Sequence, residues 1–140
     1  MKRPIITDLT ILRQKSVEAL PSEIAEIIAD LEDSLDLSKG IGLSAVQIGI
    51  LKKVSIVRFG KTKIDLINAY IIEKDEKFRF IGEGCLSLPY LKVDTTRYNF
   101  IKVNNNGTIF TAEGLEAVAI FHELSHEKGR TILDDKWRTR

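Results

Sequence analysis

Two histidines stand four residues apart in His122-Glu123-Leu124-Ser125-His126, a pattern suited to binding a metal ion. On a helix, residues four apart share one face, so two imidazoles one turn apart can grip one metal ion. Glu123 falls on the adjacent side, where it can reach a water activated by that metal without being a ligand itself. A five-residue pattern with two free positions also arises by chance, and a solvated helix with two incidental histidines would read the same way. The chain has only two histidines, however, and both lie here.

A catalytic site of the zinc type needs three protein ligands and one open position. A third histidine six residues after the second would fall at Ile132, and no glutamate follows Glu127. The third ligand must come from upstream, and the lone cysteine, Cys85, is the obvious candidate. A single cysteine cannot form an internal disulfide; a buried apolar thiol is the competing reading. Its setting, Gly82-Glu83-Gly84-Cys85-Leu86-Ser87-Leu88-Pro89, favours a ligand. Glycines let backbone approach a site closely, and a plain core strand would not choose Gly82 and Gly84 there. A bulged strand is compatible with the ligand reading. Gln47 could donate its amide to a developing oxyanion, although a lone glutamine more often satisfies loop backbone. Glu83 is expected to pair with a base such as Arg97 rather than to do chemistry.

Hydrophobic periodicity predicts the helices and strands that carry these side chains. A helix starts at Pro21-Ser22 with Glu23 and Glu26 in its first turn; Ile24, Ile27, Ile28, Leu31 and Leu35 recur at helical spacing, and Gly40 offers a stop. Gly40 to Gly49 has no clean period and reads as a close-packed loop. Val54–Phe59, Ile64–Ile72, Phe78–Ile81, Leu91–Asp94 and Asn99–Val103 read as strands; Asn104-Asn105-Asn106-Gly107 is a turn, with Thr108–Thr111 as hairpin partner. A second helix is predicted from about Ala112 to Lys128, capped by Thr111 and ended by Gly129. Leu115, Val118, Ala119 and His122 share one of its faces, which directs His122 inward. The expected fold class is α+β: mainly antiparallel strands packed around a central metal-binding helix, with an N-terminal helix.

Composition sets the outer limits. With 140 residues, 44% hydrophobic and 29% charged, the chain reads as one globular domain over residues 1–140 and not as a disordered segment. A net charge of +1 gives no broad footprint for nucleic acid. No apolar run approaches the roughly 18 residues that would cross a membrane. Pro4 and Asp8 interrupt what would be the apolar part of a signal peptide, so a cytoplasmic location is expected. Gly60-Lys61-Thr62 lacks the glycine a phosphate loop needs at Ser55 and reads as a turn. Gly40-Ile41-Gly42-Leu43-Ser44-Ala45 fits a loose dinucleotide fingerprint but follows a helix rather than a strand. Asn106-Gly107-Thr108 is more simply a hairpin turn than a glycosylation site.

Three segments occur in order: Gly40-Ile41-Gly42-Leu43-Ser44-Ala45-Val46-Gln47, Glu83-Gly84-Cys85-Leu86-Ser87 and His122-Glu123-Leu124-Ser125-His126. Together they resemble the three signature motifs of the peptide deformylases, over nearly the whole chain. The resemblance implies hydrolysis of the N-formyl group from the initiator methionine of nascent peptides, with release of formate. It implies one divalent metal ion, foremost Fe2+ in the cell, with Zn2+, Ni2+ or Co2+ able to substitute, held by Cys85, His122 and His126. It makes Glu123 the general base, and the Gln47 side chain and Leu86 N–H the oxyanion donors. Ile41, Gly42, Glu83 and Gly84 would line the peptide's path, and Leu115, Val118 and Ala119 would join Ile41 at the methionine pocket.

Three departures stand out. Ser125 stands where the family usually has Asp, and Ser44 where it usually has Ala. The chain also stops soon after the third motif, like the compact deformylases of bacteriophages, which leaves any ribosome contact through a C-terminal extension open. Lys136, Arg138 and Arg140 could touch RNA weakly, but a solvated tail is the expectation. Monomeric behaviour, no membrane partner and no specific nucleic acid are expected, in a bacterium or a phage-infected cell. Two rivals remain: a metallopeptidase sharing only the helix motif, and a silent metal-stabilised binding module, which would have no use for Glu123.

Overall fold

A computed structural model describes residues 1–138. Its described elements are α1 (Leu9–Leu12), α2 (Pro21–Ser34), β1 (Gly42–Ser44), a 3-10 turn (Ala45–Ile48), β2 (Val54–Phe59), β3 (Thr62–Ile67), β4 (Tyr70–Cys85), β5 (Leu88–Asn105), β6 (Thr108–Glu113) and α3 (Gly114–Glu127). The strands form two antiparallel three-stranded sheets, β1-β2-β3 and β4-β5-β6. Helix α3 packs against both sheets, and α2 covers the first sheet from the other side.

Strand alternation explains this layering. On β2, Val54 and Ile56 face Leu31 and Leu35 at the end of α2, together with Leu43. The neighbouring Val57 joins Leu66, Ile101, Val103, Ile120 and Leu124 in a second cluster beneath α3. Helix α2 begins where Pro21 and Glu23 place it: Pro21 occupies the first turn, and the Glu23 carboxylate accepts from the Leu20 N–H at 2.8 Å.

The α+β expectation holds, with local corrections. The run Ile64–Ile72 is two strands, because Asn68 turns the chain at φ +47° and its side chain bonds the Ala19 backbone at both ends. Phe78–Ile81 lies within the 16-residue β4, and Leu91–Asp94 and Asn99–Val103 are one 18-residue β5. Cross-strand bonds, absent from a local reading, carry these strands through their polar stretches. Part of the Gly-rich loop is ordered: Gly42–Ser44 pairs with β2 before the 3-10 turn. Thr111 does not cap α3. Pairing with β5 extends β6 to Glu113, opposite Phe100, and Gly114 at φ +61° then swings the chain into the helix. Gly129 ends α3 in the left-handed region, as expected. Asn106 and Gly107 form the hairpin turn, both at positive φ, and Gly60 turns β2 into β3.

The segment after α3 is not a solvated tail. Thr131 and Ile132 are buried, Thr96 N–H donates to the Asp135 carbonyl at 2.8 Å, and Trp137 N–H donates to the Asp94 carbonyl at 2.8 Å. Lys136 and Arg138 remain exposed, and Arg140 lies outside the described residues. No described helix is long and apolar enough to cross a membrane.

Candidate active site

Helix α3 brings the two histidines to one face, and the β4–β5 hairpin brings the cysteine to them. His122 Nε2 and His126 Nε2 lie 3.2 Å apart, and Cys85 Sγ lies 3.3 Å from His126 Nε2. Among the described residues this Cys-His-His trio is the one group of its kind, its ligand atoms all within 4.8 Å of one another. One soft sulfur and two imidazole nitrogens converging at that separation fit a single transition-metal ion.

The hairpin can do this because its end is irregular. Cys85 pairs with Leu88, which leaves Leu86-Ser87 as the connecting turn. The register slips between Phe80 and Glu83 and again between Glu83 and Cys85. Gly82 takes φ +69° at the first slip, and its N–H donates to Asp94 Oδ1 at 2.9 Å. These bulges re-aim side chains that strict alternation would fix.

Glu83 turns inward at that bulge. Its Oε1 accepts from Arg97 Nε at 2.8 Å and Thr95 Oγ1 at 2.7 Å; its Oε2 accepts from Arg97 Nη2 at 2.6 Å. His122 Nδ1 also lies 2.6 Å from Oε2. With Nδ1 donating to this carboxylate, Nε2 is left as the lone-pair donor toward the metal position. The pairing expected between Glu83 and Arg97 is therefore present, and it extends to a histidine. The Glu83 side chain is fully engaged in this network. Arg97 is fully buried, and its Nη1 donates onward to Asp135 Oδ2 at 3.1 Å.

Charge pairing and burial push the ionisable groups apart. Burial alone would raise Glu83, but bonds to His122 and Arg97 bring it down to about 2. Burial opposes charge on His122, yet the neighbouring Glu123, Cys85 and Glu83 raise it well above the usual histidine range. His126 is lowered well below that range by burial and by His122 beside it. Burial lifts Glu123 to about 7, against the pull of His122 and Ser44.

Gln47 is fully buried and held at both ends of its amide. Ser44 N–H donates to its Oε1 at 2.9 Å, and its Nε2 donates to Ser87 Oγ at 3.1 Å, with Cys85 Sγ at 3.7 Å. Glu123 reaches the site past Gly42: a Cβ there would lie 2.6 Å from Glu123 Oε2 and 3.0 Å from the Ile56 carbonyl oxygen. At Gly40 a Cβ would press on the Leu86 side chain at 3.1 Å.

These groups open onto a groove of about 630 Å³. Its walls include Ile41, Gly42, Gln47, Glu83, Gly84, Cys85 and Leu86 on the strand side, and Leu115, Val118, Ala119, His122 and Glu123 on the helix side. His126 is buried behind the wall. Val118 and Ala119 are buried and Leu115 is half exposed at the rim. The sequence reading gave no role to the inner supports Ser87, Thr95, Asp135 and Ser55, which lack a spacing signal because their partners lie 11 to 40 residues away in the chain. It also missed the strand side of the groove beyond Leu86, where Leu88, Pro89 and Tyr90 add to the wall. Ser125 faces away, into a separate cleft of about 160 Å³ with Ile71, Phe121 and Lys128.

Comparison with known proteins shows the family. Residues 4–139 match the family described as polypeptide deformylase. The chain is 36% identical over 131 residues to a peptide deformylase of Heliobacterium modesticaldum, covering 89% of this chain and 86% of that one. Its fold superimposes on the crystal structure of peptide deformylase from Thermotoga maritima with a TM-score of 0.87, at 27% identity and 99% coverage of both chains. A probable peptide deformylase from Synechococcus phage S-SSM7 aligns with a TM-score of 0.81 at 34% identity, over 96% of this chain and 99% of that one. A family match over nearly the whole chain, and relatives this similar over most of their own length, show that the chain belongs to the polypeptide deformylase family, the metal-dependent hydrolases that remove the N-formyl group from the initiator methionine of nascent polypeptides.

Proposed function

We propose that Cys85, His122 and His126 hold one divalent metal and that Glu123 is the general base of deformylation. The observation that carries this reading is the convergence of the three ligand atoms within 4.8 Å, beside a buried Glu123 carboxyl group in the groove wall. The metal, when bound, supplies Lewis acidity that makes water a usable nucleophile near neutral pH and polarises the formyl carbonyl. A thiolate with two imidazoles suits iron, nickel, cobalt or zinc; Fe2+ is our assignment in the cell, with the other three as substitutes.

The chain's own residues do the rest. Glu123 accepts the proton of the attacking water and delivers it to the departing amine. Burial lifts its carboxyl above the usual glutamate range, the direction that a proton shuttle near neutral pH needs. The Gln47 amide and the Leu86 N–H stabilise the charge that develops on the formyl oxygen; a donor of this kind contributes about 3–4 kcal/mol. Backbone of Ile41, Gly42, Glu83 and Gly84 lines an extended peptide. Leu115, Val118, Ala119 and Ile41 receive the methionine side chain.

We further assign residues 1–140 to a single domain working as a monomer in the cytoplasm of a bacterium or a phage-infected cell, with at most a transient ribosome contact, no membrane partner and no specific nucleic acid.

The test is formate release from a formyl-Met peptide by protein purified without oxygen and loaded in turn with iron, nickel, cobalt or zinc. Metal-dependent release is expected. Glu123→Ala should keep one bound metal per chain and lose turnover by a factor of about 10²–10⁴. Unchanged turnover in that variant would remove Glu123 from the role.

A further inference from the structure

Behind Glu123 a run of buried hydroxyls crosses from α3 to the first sheet and back. Ser44 Oγ, on β1, lies 3.1 Å from Glu123 Oε1 and 2.8 Å from the Glu123 carbonyl oxygen. The same oxygen lies 2.8 Å from Ser55 Oγ, on β2, its register partner across the strand pair. Ser55 Oγ in turn lies 2.6 Å from Glu127 Oε2, one helical turn beyond Glu123. Both serines are fully buried, and Glu123 and Glu127 are nearly so. Each serine has one proton to give: Ser55 donates to Glu127, and Ser44 shares its donation between the carbonyl and the side-chain oxygen of Glu123.

From this geometry we infer that Ser44, backed by Ser55 and Glu127, is a positioning residue that fixes the carboxyl plane of the general base. The inference rests on the role of Glu123 proposed above. Glu123 Oε2 lies over the bare α-carbon of Gly42 on the groove wall, and Oε1 points back to Ser44. One oxygen is thereby tied into the protein and the other is presented to the groove. Without the tie the side chain keeps its place but gains torsional freedom, and a general base that wanders is a slower one. A positioning role of this kind lowers turnover without altering binding, because the Ser44 hydroxyl touches neither the peptide's path nor a metal ligand. Ser44→Ala also leaves the backbone bond from Ser44 N–H to Gln47 intact, so the oxyanion donor is undisturbed.

Steady-state kinetics on a formyl-Met peptide, with metal content measured on the same samples, test this. Ser44→Ala should lower kcat about tenfold with KM and metal stoichiometry unchanged. Ser55→Ala should lower kcat about threefold, and the double variant should be no slower than Ser44→Ala, because Ser55 acts only through Ser44. Parent-like kcat in Ser44→Ala, additive losses in the double variant, or a rise in KM or loss of metal accompanying the drop would each overturn the inference. If Ser44→Ala does not fold, the kcat-only loss in Ser55→Ala decides the matter, and a parent-like kcat there overturns it. Glu123→Ala run alongside separates the two claims: if it is inactive while Ser44→Ala is parent-like, only the positioning role fails; if it retains turnover, both fail.

Discussion

Two buried carboxyl groups flank the same pair of histidines, and their surroundings could hardly differ more. Glu83, on the hairpin side, is wrapped by the guanidinium of Arg97, the hydroxyl of Thr95 and the ring of His122, and is held down to about 2. Glu123, on the helix side, takes one hydrogen bond from a serine hydroxyl and is held up to about 7. Direct bonds to His122 and Arg97 beat the cost of burial in one case; in the other, the charge of His122 at a distance and one serine hydroxyl leave burial dominant. The first carboxylate is fit to orient a ligand and to stay charged while doing so. The second is fit to take and return a proton. One residue type thus serves two roles because the β4–β5 hairpin gives Glu83 a guanidinium, while β1 gives Glu123 only a hydroxyl.

The widest gap between the two sides should appear when a counter-charge is removed. Arg97→Met leaves Glu83 buried without its guanidinium, and leaves Asp135 without one of its donors. A broken buried pair costs about 3–5 kcal/mol, a large share of a domain's stability, so the denaturation midpoint should fall steeply. His122 would lose its fixed orientation as well, and metal affinity should drop roughly 10–100-fold. A midpoint close to that of the parent would show that the ionic side is no more demanding than the hydroxyl side.

Crowding the hydroxyl side should act on rate more than on folding. In Gly42→Ala the new methyl group meets Glu123 Oε2 at 2.6 Å and the Ile56 carbonyl oxygen at 3.0 Å. The carboxylate can rotate away more easily than the strand can move, so the base is displaced. Misplacement by about 1 Å can cost about 10²-fold, which is the fall expected in kcat. Overpacking should cost stability by no more than about 1–3 kcal/mol. Loss of folding with kcat preserved in the surviving fraction would reverse this assignment.

Opposite pKa shifts also predict opposite pH dependences for the stability of the metal-free protein. Glu83 is lowered from 4.5 to about 2, so its contribution is present above about pH 4.5 and disappears as pH falls through 2. Glu127, buried beneath Ser55, is raised from 4.5 to about 8. Its contribution is fully present below pH 4.5 and is lost as pH rises toward 8. Urea denaturation between pH 5 and 8 should therefore show a declining component that Glu127→Gln flattens. A slope unchanged in that variant would remove Glu127 as its source.

How far the sequence carries depends on whether a residue's partner is near in the chain. His122 and His126 are one turn apart on a helix whose periodicity is plain, so their convergence was legible. Cys85 followed from the lack of any other candidate ligand and from Gly82 and Gly84, and the bulges explain why those glycines are there. Fold class was legible too, because alternating strands and two amphipathic helices leave few arrangements. The length of β5 and the end of β6 were not, since pairing across strands sets them and no local pattern records it. Ser55 carried no signal for the same reason: it earns its place only by lying opposite Ser44 in register. The docking of Asp135 and Trp137 on β5 was likewise invisible in a short polar segment.

The smallest expected effect comes from the groove's rim, where neither charge nor burial is large. Leu115 is 46% exposed, while Val118 and Ala119 beside it on the same face are 4% exposed. Truncating a half-exposed side chain leaves little cavity, so Leu115→Ala should change stability by no more than about 0.5 kcal/mol. Part of the apolar contact offered to a methionine side chain would go with it. Each methylene buried is worth about 0.8 kcal/mol, so losing one or two such contacts should raise KM by roughly 4–15-fold. Because that contact is the same before and during reaction, kcat should not move. The same substitution should matter less for a formyl-norvaline peptide, whose shorter side chain reaches less far toward the rim. A fall in kcat at constant KM would instead tie Leu115 to the seating of His122, two turns along the same helical face.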